Sequence, residues 1–520
     1  MIGESNTKRY TGPWTEKQLM HLLRRTLCGV SVADYHFFKG KTMDECLDIL
    51  LITETITEPF RNYFLDPIVP KGELFDNPPE PPPTLLILDV RIANLKGWWA
   101  GQLLNQKRSV TEKMILFWHN HFAVEFNNVK DSRYAYQYIN LLYRYPLGNF
   151  KKLVNEITVN PCMLVYLNGS SNKKGAPNEN YGRELQELFT IGKGPDSHYT
   201  EDDVKAASKV LSGWKDDKTN ISSYFDPDIH DTDTKQFSMF YNNYKIKGRI
   251  GKDGAGETEE LIEMICANKE VSKFLCRKLY RFFVDSTIDE KVENEIISPL
   301  AELLLVSNYE VKPVIKALLS ADFFYNDYLI GGMIKSPVDY FIGLFREFDV
   351  KFAQDGWLHY KQWAGIAVWL GYMGQDLGDP PGVAGWPAYY EVPFFYRDWT
   401  NSETLSFRAK VARLLSYPSE SDRMLMFDFI HFISKLSNPV NVETVINETI
   451  TLCCGLRPGP NQMSYLKDML DTELNTAEKW NVLWSSYEKD HSKEDVKEKL
   501  TARLAKTFSI IFTIPEFHLM

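Results

Sequence analysis

The sequence predicts a mostly α-helical protein, with a large bundle-like body and long irregular loops. Apolar residues recur at helical spacing over long runs, whereas strand-like alternation is scarce. The chain has 520 residues and a hydrophobic content of 44%, which is enough to bury a large core. At most a small β-hairpin is expected, near 236–250, where polar and apolar residues alternate.

Helical periodicity and end signals place the helices along the chain. The first predicted helix follows Thr15 and stops at Gly29, a normal residue at a helix C-terminus. Thr200 and Asp203 form a capping box at the start of one later helix. The later predicted helices span 85–104, 110–126, 132–145, 179–191, 201–212, 257–284, 290–306, 310–320, 336–347, 403–416, 420–435, 442–453, 461–472 and 493–512.

Irregular segments separate some of these helices, at 168–178, 215–250 and 372–402. Long loops without regular structure are often functional in compact proteins. PPEPPP, at 78–83, predicts a stiff extended stretch that crosses the surface. GKDGAGET has Glu257 where a phosphate-binding loop needs lysine, so it predicts a turn before a helix.

The whole chain, 1–520, is predicted to form one large helical domain. A division into a site-bearing half, 1–330, and a C-terminal helical half, 331–520, is the alternative.

The composition argues against a nucleic-acid-binding, membrane-spanning or secreted protein. The net charge of -10 leaves no basic surface for a nucleic acid, so none is expected as a partner. The apolar runs are shorter than the ~20 residues that a membrane span needs. No secretory signal is visible, and the seven scattered cysteines suit reduced core thiols, so a soluble cytoplasmic protein is the default expectation.

The stretch APNENYGRELQELFTIGKG, at 176–194, crowds polar side chains at a predicted helix start. Asn180, Glu184 and Glu187 share one helical face, so two carboxylates and an amide project together. The pattern predicts a polar centre. Arg183 can instead form an ion pair with Glu187, and Asn178 is also an ordinary N-cap candidate.

Two histidine-bearing stretches complete the candidate centre. Within KMILFWHNHFAVEF, His121 shares a face with Met114 and Trp118 and so points toward the core, whereas His119 points elsewhere. The loop YFDPDIHDTDTK places His230 beside Asp231. A single histidine on an apolar face is also common as a hydrogen-bonded core residue.

These groups suit two kinds of chemistry. His121, His230 and Glu184 could hold a divalent metal, or the same groups could transfer protons, with burial separating the pKa values of Glu184 and Glu187. In this hypothesis the assisting residues are Glu187 and Asp231, Arg183 binds an anionic group, and the substrate contacts Asn120, Asn178 and Trp214. Alternatively, the polar side chains form a satisfied internal network that fixes the helices.

Several motifs resemble, in order and spacing, a bacterial family catalogued as domain of unknown function 1800. They are LLRRTLCG, KMILFWHNHF, NPCMLVYLNG, PNENYGRELQELFTIGKG, YTEDDVKAASKVLSGW, FDPDIHD, PPGVAGWP and FTIPEFHLM, and they cover nearly the whole chain. The resemblance implies a mostly helical bacterial protein, often from Bacteroidetes, without an established activity. This sequence has Gly382 where the family usually has Asn.

The resemblance also bears on partners and compartment. It implies a possible partner, similar to sulfatases and alkaline phosphatases, that is encoded nearby. Many relatives carry export signals, so export is the alternative to the cytoplasm. The leading functional hypothesis is a metal-dependent hydrolase for a saccharide-derived or anionic substrate. The rival is a non-catalytic binding or scaffold protein that partners the sulfatase-like neighbour.

Overall fold

The computed structural model describes residues 7–64, 66–75, 79, 85–417, 425–472 and 478–520. It confirms the mostly helical fold class. In chain order the α-helices are α1 (Glu16–Thr26), α2 (Val32–Phe38), α3 (Met43–Leu50), α4 (Leu85–Leu104), α5 (Thr111–His121), α6 (Phe126–Val129), α7 (Ser132–Arg144), α8 (Phe150–Thr158), α9 (Pro161–Tyr166), α10 (Glu179–Glu184), α11 (Glu201–Val210), α12 (Glu257–Cys266), α13 (Lys269–Phe283), α14 (Glu290–Val292), α15 (Ser298–Val306), α16 (Val311–Ser320), α17 (Pro337–Glu347), α18 (Gly356–Tyr372), α19 (Ser402–Ser416), α20 (Phe429–Ser434), α21 (Val442–Cys453), α22 (Pro460–Thr472), α23 (Trp480–Lys489) and α24 (Glu494–Ile511).

Two short antiparallel ribbons accompany the helices. Strand β1 (Trp214–Asp217) pairs with β2 (Ser222–Phe225), and β3 (Lys235–Gln236) pairs with β4 (Lys245–Ile246). The second ribbon lies in the region where the sequence predicts a hairpin. The first was not predicted, because its pairing depends on a turn in which the Asp217 carboxylate accepts backbone N–H groups from Thr219 and Asn220.

Helix α5 lies in the core, and all of its residues are buried. Helices α4 and α18 pack closely against each other beside it. A Cβ atom on Gly101 would lie 2.4 Å from the Trp363 ring, and one on Gly97 would lie 2.9 Å from the Ala364 Cα. Glycine at these two positions therefore lets the two helices approach each other.

Several helix boundaries differ from the prediction for local reasons. The run at 257–284 is two helices, because Asn268 caps α13 by accepting the backbone N–H of Glu270. The run at 179–191 begins as α10 and continues as a π-helical segment, Leu185–Thr190. Helix α5 ends at His121 rather than at 126.

Two sequence predictions fall partly outside the described residues. Of the run at 420–435, the structure describes α20 and the residues from 425 onward. The PPEPPP segment at 78–83 lies outside the described residues except for Pro79.

Helix α18 was not predicted from periodicity. Its sequence, GWLHYKQWAGIAVWLGY, contains three glycines and apolar residues on every side, so it has no single apolar stripe. Packing against α4 stabilises it as a helix despite the weak local propensity. Among the described helices, none is both long and apolar enough to cross a membrane.

Several buried contacts join the two halves that the sequence suggested. Lys113 on α5 forms an ion pair with Asp339 on α17, and Arg24 on α1 donates to the carbonyl of Thr451 on α21 at 2.5 Å. Because such contacts cross residue 330 in the core, we propose that the chain forms one domain.

Candidate functional site

His121, the last residue of α5, is a core imidazole. Its Nε2 lies 2.9 Å from the carbonyl oxygen of Phe189 and donates to it, while Nδ1 is buried without a hydrogen-bond partner among the described residues. Burial, assisted by the charge of Lys278, lowers the pKa of His121 well below its ordinary value, so the ring is neutral. The rings around it are those of Phe117, Trp118, Phe122, Phe150, Phe189 and Phe274.

His230 belongs to a different cluster. Its Nδ1 lies 2.8 Å from the carbonyl oxygen of Ser212, and its Nε2 lies 3.1 Å from Oε1 of Glu257. Glu257 also accepts from Lys235 Nζ and from the backbone N–H of Arg249. Burial alone would raise the pKa of Glu257, but the hydrogen bonds from His230 and Lys235 outweigh burial and lower it. The result is a buried, satisfied network that joins the 230–235 loop to α12.

Asp231 shapes the loop beside this network. Its Oδ1 accepts the backbone N–H of Asp233 at 2.9 Å, and its own N–H donates to Ser212 Oγ at 2.8 Å. These bonds form a local turn. The predicted assisting carboxylate is therefore engaged by the backbone of its own loop.

The acidic stretch at 183–187 lies where α10 passes into the π-helical segment. Arg183 donates two hydrogen bonds to Glu201, at 2.7 and 2.6 Å, and Glu187 forms an ion pair with Lys193. The Oε2 atom of Glu184 is buried without a hydrogen-bond partner among the described residues. Burial, followed by the neighbouring Glu187 carboxylate, raises the pKa of Glu184.

Two of the predicted substrate contacts have local structural partners. Asn178 is the N-cap of α10, and its Oδ1 accepts the backbone N–H of Asn180 at 3.0 Å. Trp214 begins β1 and donates its indole N–H to Thr258 Oγ1 at 3.0 Å. Both residues therefore hold neighbouring segments together.

The predicted metal ligands do not assemble. Among the residues that the structure describes, no group of three or more His, Cys, Asp or Glu side chains could hold a metal ion. His121 bonds to a backbone carbonyl inside an aromatic cage, whereas His230 bonds to Glu257 in a separate network. The spacing on each helix or loop was visible in the sequence, but the direction in which the elements pack was not.

A cleft of about 1150 Å³ opens elsewhere on the molecule, along the irregular segment 372–402. One wall also comes from the loop at 332–334. The residues that line the cleft are Gly332, Ile334, Gly371, Met373, Gly374, Asp376, Asp379, Pro381, Pro387, Ala388, Glu391, Phe394, Tyr396, Arg397, Asp398, Trp399, Thr400 and Asn401. Its volume lies slightly above the usual range for ligand sites, about 300–1,000 Å³.

Two carboxylates of this cleft meet one lysine of α4. Lys96 Nζ lies 2.7 Å from Asp376 Oδ1 and 2.7 Å from Asp379 Oδ2, so the two carboxylate oxygens lie within twice that distance of each other. The other oxygen of Asp379 accepts the backbone N–H of Asn127 at 2.9 Å. Burial nevertheless raises the pKa of Asp379 to about 6, against the opposing effect of Lys96.

The end of α5 positions the cleft segment. Asn120 Oδ1 accepts the backbone N–H of Trp386 at 2.7 Å. Gly385 adopts φ +92°, and a Cβ atom there would lie 2.4 Å from Asn120 Oδ1. The backbone N–H of Phe126 donates to the carbonyl of Gly378 at 2.8 Å. Asn120, which the sequence analysis predicts to contact substrate, holds the backbone that forms the cleft.

Aromatic rings and acidic groups line the same cleft. Phe394 is 56% exposed, and the rings of Tyr396 and Trp399 lie farther along the wall. The lining carboxylates are those of Asp376, Asp379, Glu391 and Asp398, whereas the lining cation is Arg397. The cleft is therefore aromatic and acidic, a combination that suits an uncharged polar ligand better than an anion.

Two features of the sequence coincide with this site. The segment 372–402 stands out as irregular, and it holds two aspartates three residues apart within GQDLGDPP. No local sequence pattern indicates that Lys96 forms ion pairs with both aspartates, because Lys96 lies nearly three hundred residues earlier in the chain. That contact depends on the packing of α4 against α18.

The fold is mostly helical, and its cleft is lined by acidic and aromatic residues. The family model described as protein of unknown function (DUF1800) matches residues 21–519. The chain therefore belongs to the DUF1800 family. Neither a curated protein nor a solved structure matches it.

Proposed function

We propose that the protein is a hydrolase that acts on an uncharged, saccharide-derived substrate in the cleft, with Asp379 as the proton-transferring group. The observation that carries this proposal is the position of Asp379, a carboxyl group with a pKa of about 6 that lines a large cleft beside a second carboxylate. A general acid works best when its pKa lies near the operating pH.

Asp376 is the second carboxylate that glycoside hydrolysis requires. Its Oδ1 forms an ion pair with Lys96 Nζ at 2.7 Å, and in the proposal this carboxylate is the group that attacks the sugar carbon. Glycosidases that retain configuration place their two carboxyl groups about 5–5.5 Å apart, whereas inverting enzymes leave about 6.5–9.5 Å for a water molecule. The shared contact with Lys96 supports the shorter separation and hence a retaining reaction.

In the proposed reaction Asp379 protonates the oxygen of the leaving sugar while Asp376 bonds to the anomeric carbon. Water, deprotonated by Asp379, then releases the sugar from Asp376 and restores both carboxyl groups. Sugar rings present apolar faces, and the ring of Phe394, which is 56% exposed, offers a surface for them. The acidic lining disfavours the anionic substrate that was the sequence-based alternative.

A binding or scaffold role is the second candidate, and a specific observation favours it for one region. The His230, Glu257 and Lys235 network is buried and its polar groups are paired, as expected of side chains that fix helices. A protein of this kind could partner a sulfatase-like neighbour without catalysis. The cytoplasm is the proposed compartment, supported by seven cysteines that are all free and buried.

The test is the release of new reducing ends from uncharged polysaccharides: soluble starch, xylan, laminarin, hydroxyethylcellulose and glycol chitin. We expect hydrolysis of one of them, with activity falling as pH rises through about 6 because Asp379 loses its proton. Asp379→Asn should lower turnover about 100-fold or more, and the exposed control Asp202→Asn should not. If the wild-type protein releases no reducing ends from any of the five, the hydrolase proposal fails.

A further inference from the structure

A second recess, of about 390 Å³, adjoins the cleft at the C-terminal end of α18. Both cavities are lined by Gly371 and Asp376. The recess continues past these residues to Lys96 and Asn127, and its outer wall carries Tyr372. The two cavities therefore meet at a partition rather than standing at separate places on the molecule.

The partition holds the reactive carboxylates. Lys96 lines the recess, Asp379 lines the cleft, and Asp376 lines both. The two ion pairs of Lys96, each at 2.7 Å, cross from one cavity to the other. A chain molecule that lay across the partition would present an internal bond, not its end, to Asp376 and Asp379.

We propose that the cleft and the recess are two parts of one groove, which binds an extended uncharged oligosaccharide and cleaves it at an internal linkage. The inference rests on the proposed hydrolase function and adds the length of the substrate and the place of the cut.

Exposed rings on both sides of the partition fit such a chain. Tyr372, in the recess, is 72% exposed, and Phe394, in the cleft, is 56% exposed. Exposed aromatic rings of this kind offer stacking faces for successive sugars. Because the cleft has roughly three times the volume of the recess, the longer part of the chain lies in the cleft.

The groove also explains why a small molecule is a poor match for the site. The combined cavities exceed the range of about 300–1,000 Å³ that is usual for a small ligand. The lining combines polar and apolar side chains and is not strongly apolar. Recognition would then come from many weak contacts distributed along the substrate.

The experiment fills the recess and leaves the cleft unchanged. Ala93 is exposed on α4 and lines the recess, so Ala93→Trp inserts a ring there. Val90, one turn earlier on α4, is 44% exposed and does not line it, so Val90→Trp is the matched control. The substrates are unmodified gluco-, xylo- and N-acetylglucosamine oligosaccharides, from disaccharide to octasaccharide, measured by kcat/KM and by product length.

In the wild type and in Val90→Trp, kcat/KM should rise with chain length, and the longest substrates should give products cut from the interior. In Ala93→Trp the increase in kcat/KM from the shorter to the longer substrates should be about tenfold smaller, which is the effect of one aromatic contact. The kcat/KM for the shortest substrate that is cleaved should not change. Hydrolysis with the same length dependence in all three proteins would overturn the groove and leave the hydrolase proposal standing. Absence of hydrolysis with every oligosaccharide would overturn the hydrolase proposal itself.

Discussion

The side-chain oxygen of Asn120 accepts a hydrogen bond from the backbone N–H of Trp386 at 2.7 Å. This bond joins the end of α5, whose residues are all buried, to the irregular segment that forms the cleft. A rigid core helix thus positions a loop that carries the proposed catalytic groups. Positioning of this kind is what a preorganised site requires.

Asn120→Ala should destabilise the protein by about 1–3 kcal/mol, because the buried N–H of Trp386 loses its acceptor. Urea unfolding measures the free energy of unfolding of the variant and of the wild type. Asn94→Ala, on the outer side of α4, is the control and should change stability by less than about 0.5 kcal/mol. Equal losses in the two variants would contradict the positioning role of Asn120.

Glu257→Gln should lower the free energy of unfolding by about 3–5 kcal/mol, a larger loss than that of Asn120→Ala. The reason is that Lys235 would keep a buried charge without its carboxylate partner. Glu201→Gln removes the exposed partner of Arg183 and should have little effect, since exposed ion pairs contribute little. Thermal unfolding of both variants at pH 7 makes the comparison. A mild effect of Glu257→Gln would mean that the His230 network does not stabilise the fold.

Acid should destabilise the protein through its buried neutral histidines. Burial, with a smaller contribution from Lys96, lowers the pKa of His119 to about 3 from an ordinary 6.5. Below pH 6.5, His119 therefore binds a proton in the unfolded chain but stays neutral in the folded chain until the pH approaches 3. The corresponding stability is fully present above pH 6.5 and is lost as pH falls toward 3.

His119→Phe removes this group and should weaken the acid dependence by about 1.4 kcal/mol for each pH unit below 6.5. Trp99→Phe changes the neighbouring ring and titrates nothing, so it should shift stability equally at every pH. Denaturant unfolding between pH 7 and pH 5 distinguishes the two. An unchanged slope in His119→Phe would show that His119 is protonated in the folded protein.

Asp379 should affect stability with the opposite sign. Burial raises its pKa to about 6, so the folded chain holds a proton that the unfolded chain has released above 3.8. Stability from this group is present below pH 3.8 and is lost as pH rises to about 6. As pH rises from 4 to 7, the free energy of unfolding of Asp379→Asn should therefore increase by about 3 kcal/mol relative to that of the wild type. A constant difference between the two proteins across that range would contradict the raised pKa.

Local signals in the sequence predicted much of the helical framework. The capping box of Thr200 and Asp203 is present at α11, and Asn178 caps α10 as one interpretation held. Such features depend on residues a few positions apart. Helix α18 was harder to predict because its apolar residues lie on every side of the helix, so that its sequence has no single apolar stripe.

The candidate site was harder to predict, because tertiary packing decides which polar side chains meet. His121 and His230 each suit a metal site, but their ring nitrogens bond to Phe189 and Glu257 instead. The local pattern around Glu257 indicates only a turn and a helix start. The contact between Lys96 and two aspartates, like the one between Asn120 and Trp386, joins distant segments that no spacing rule connects.

Two carboxyl groups with raised pKa values, Asp379 in the cleft and Glu184 beside the π-helical segment, allow the most direct test of the central claim. The measurement is the turnover of the best polysaccharide substrate by Asp379→Asn and by Glu184→Gln, each corrected for the fraction of folded protein. The cleft account predicts a loss of about 100-fold or more for Asp379→Asn and near wild-type turnover for Glu184→Gln. Full activity in Asp379→Asn together with a comparable loss in Glu184→Gln would contradict it and return the site to the polar stretch at 183–187.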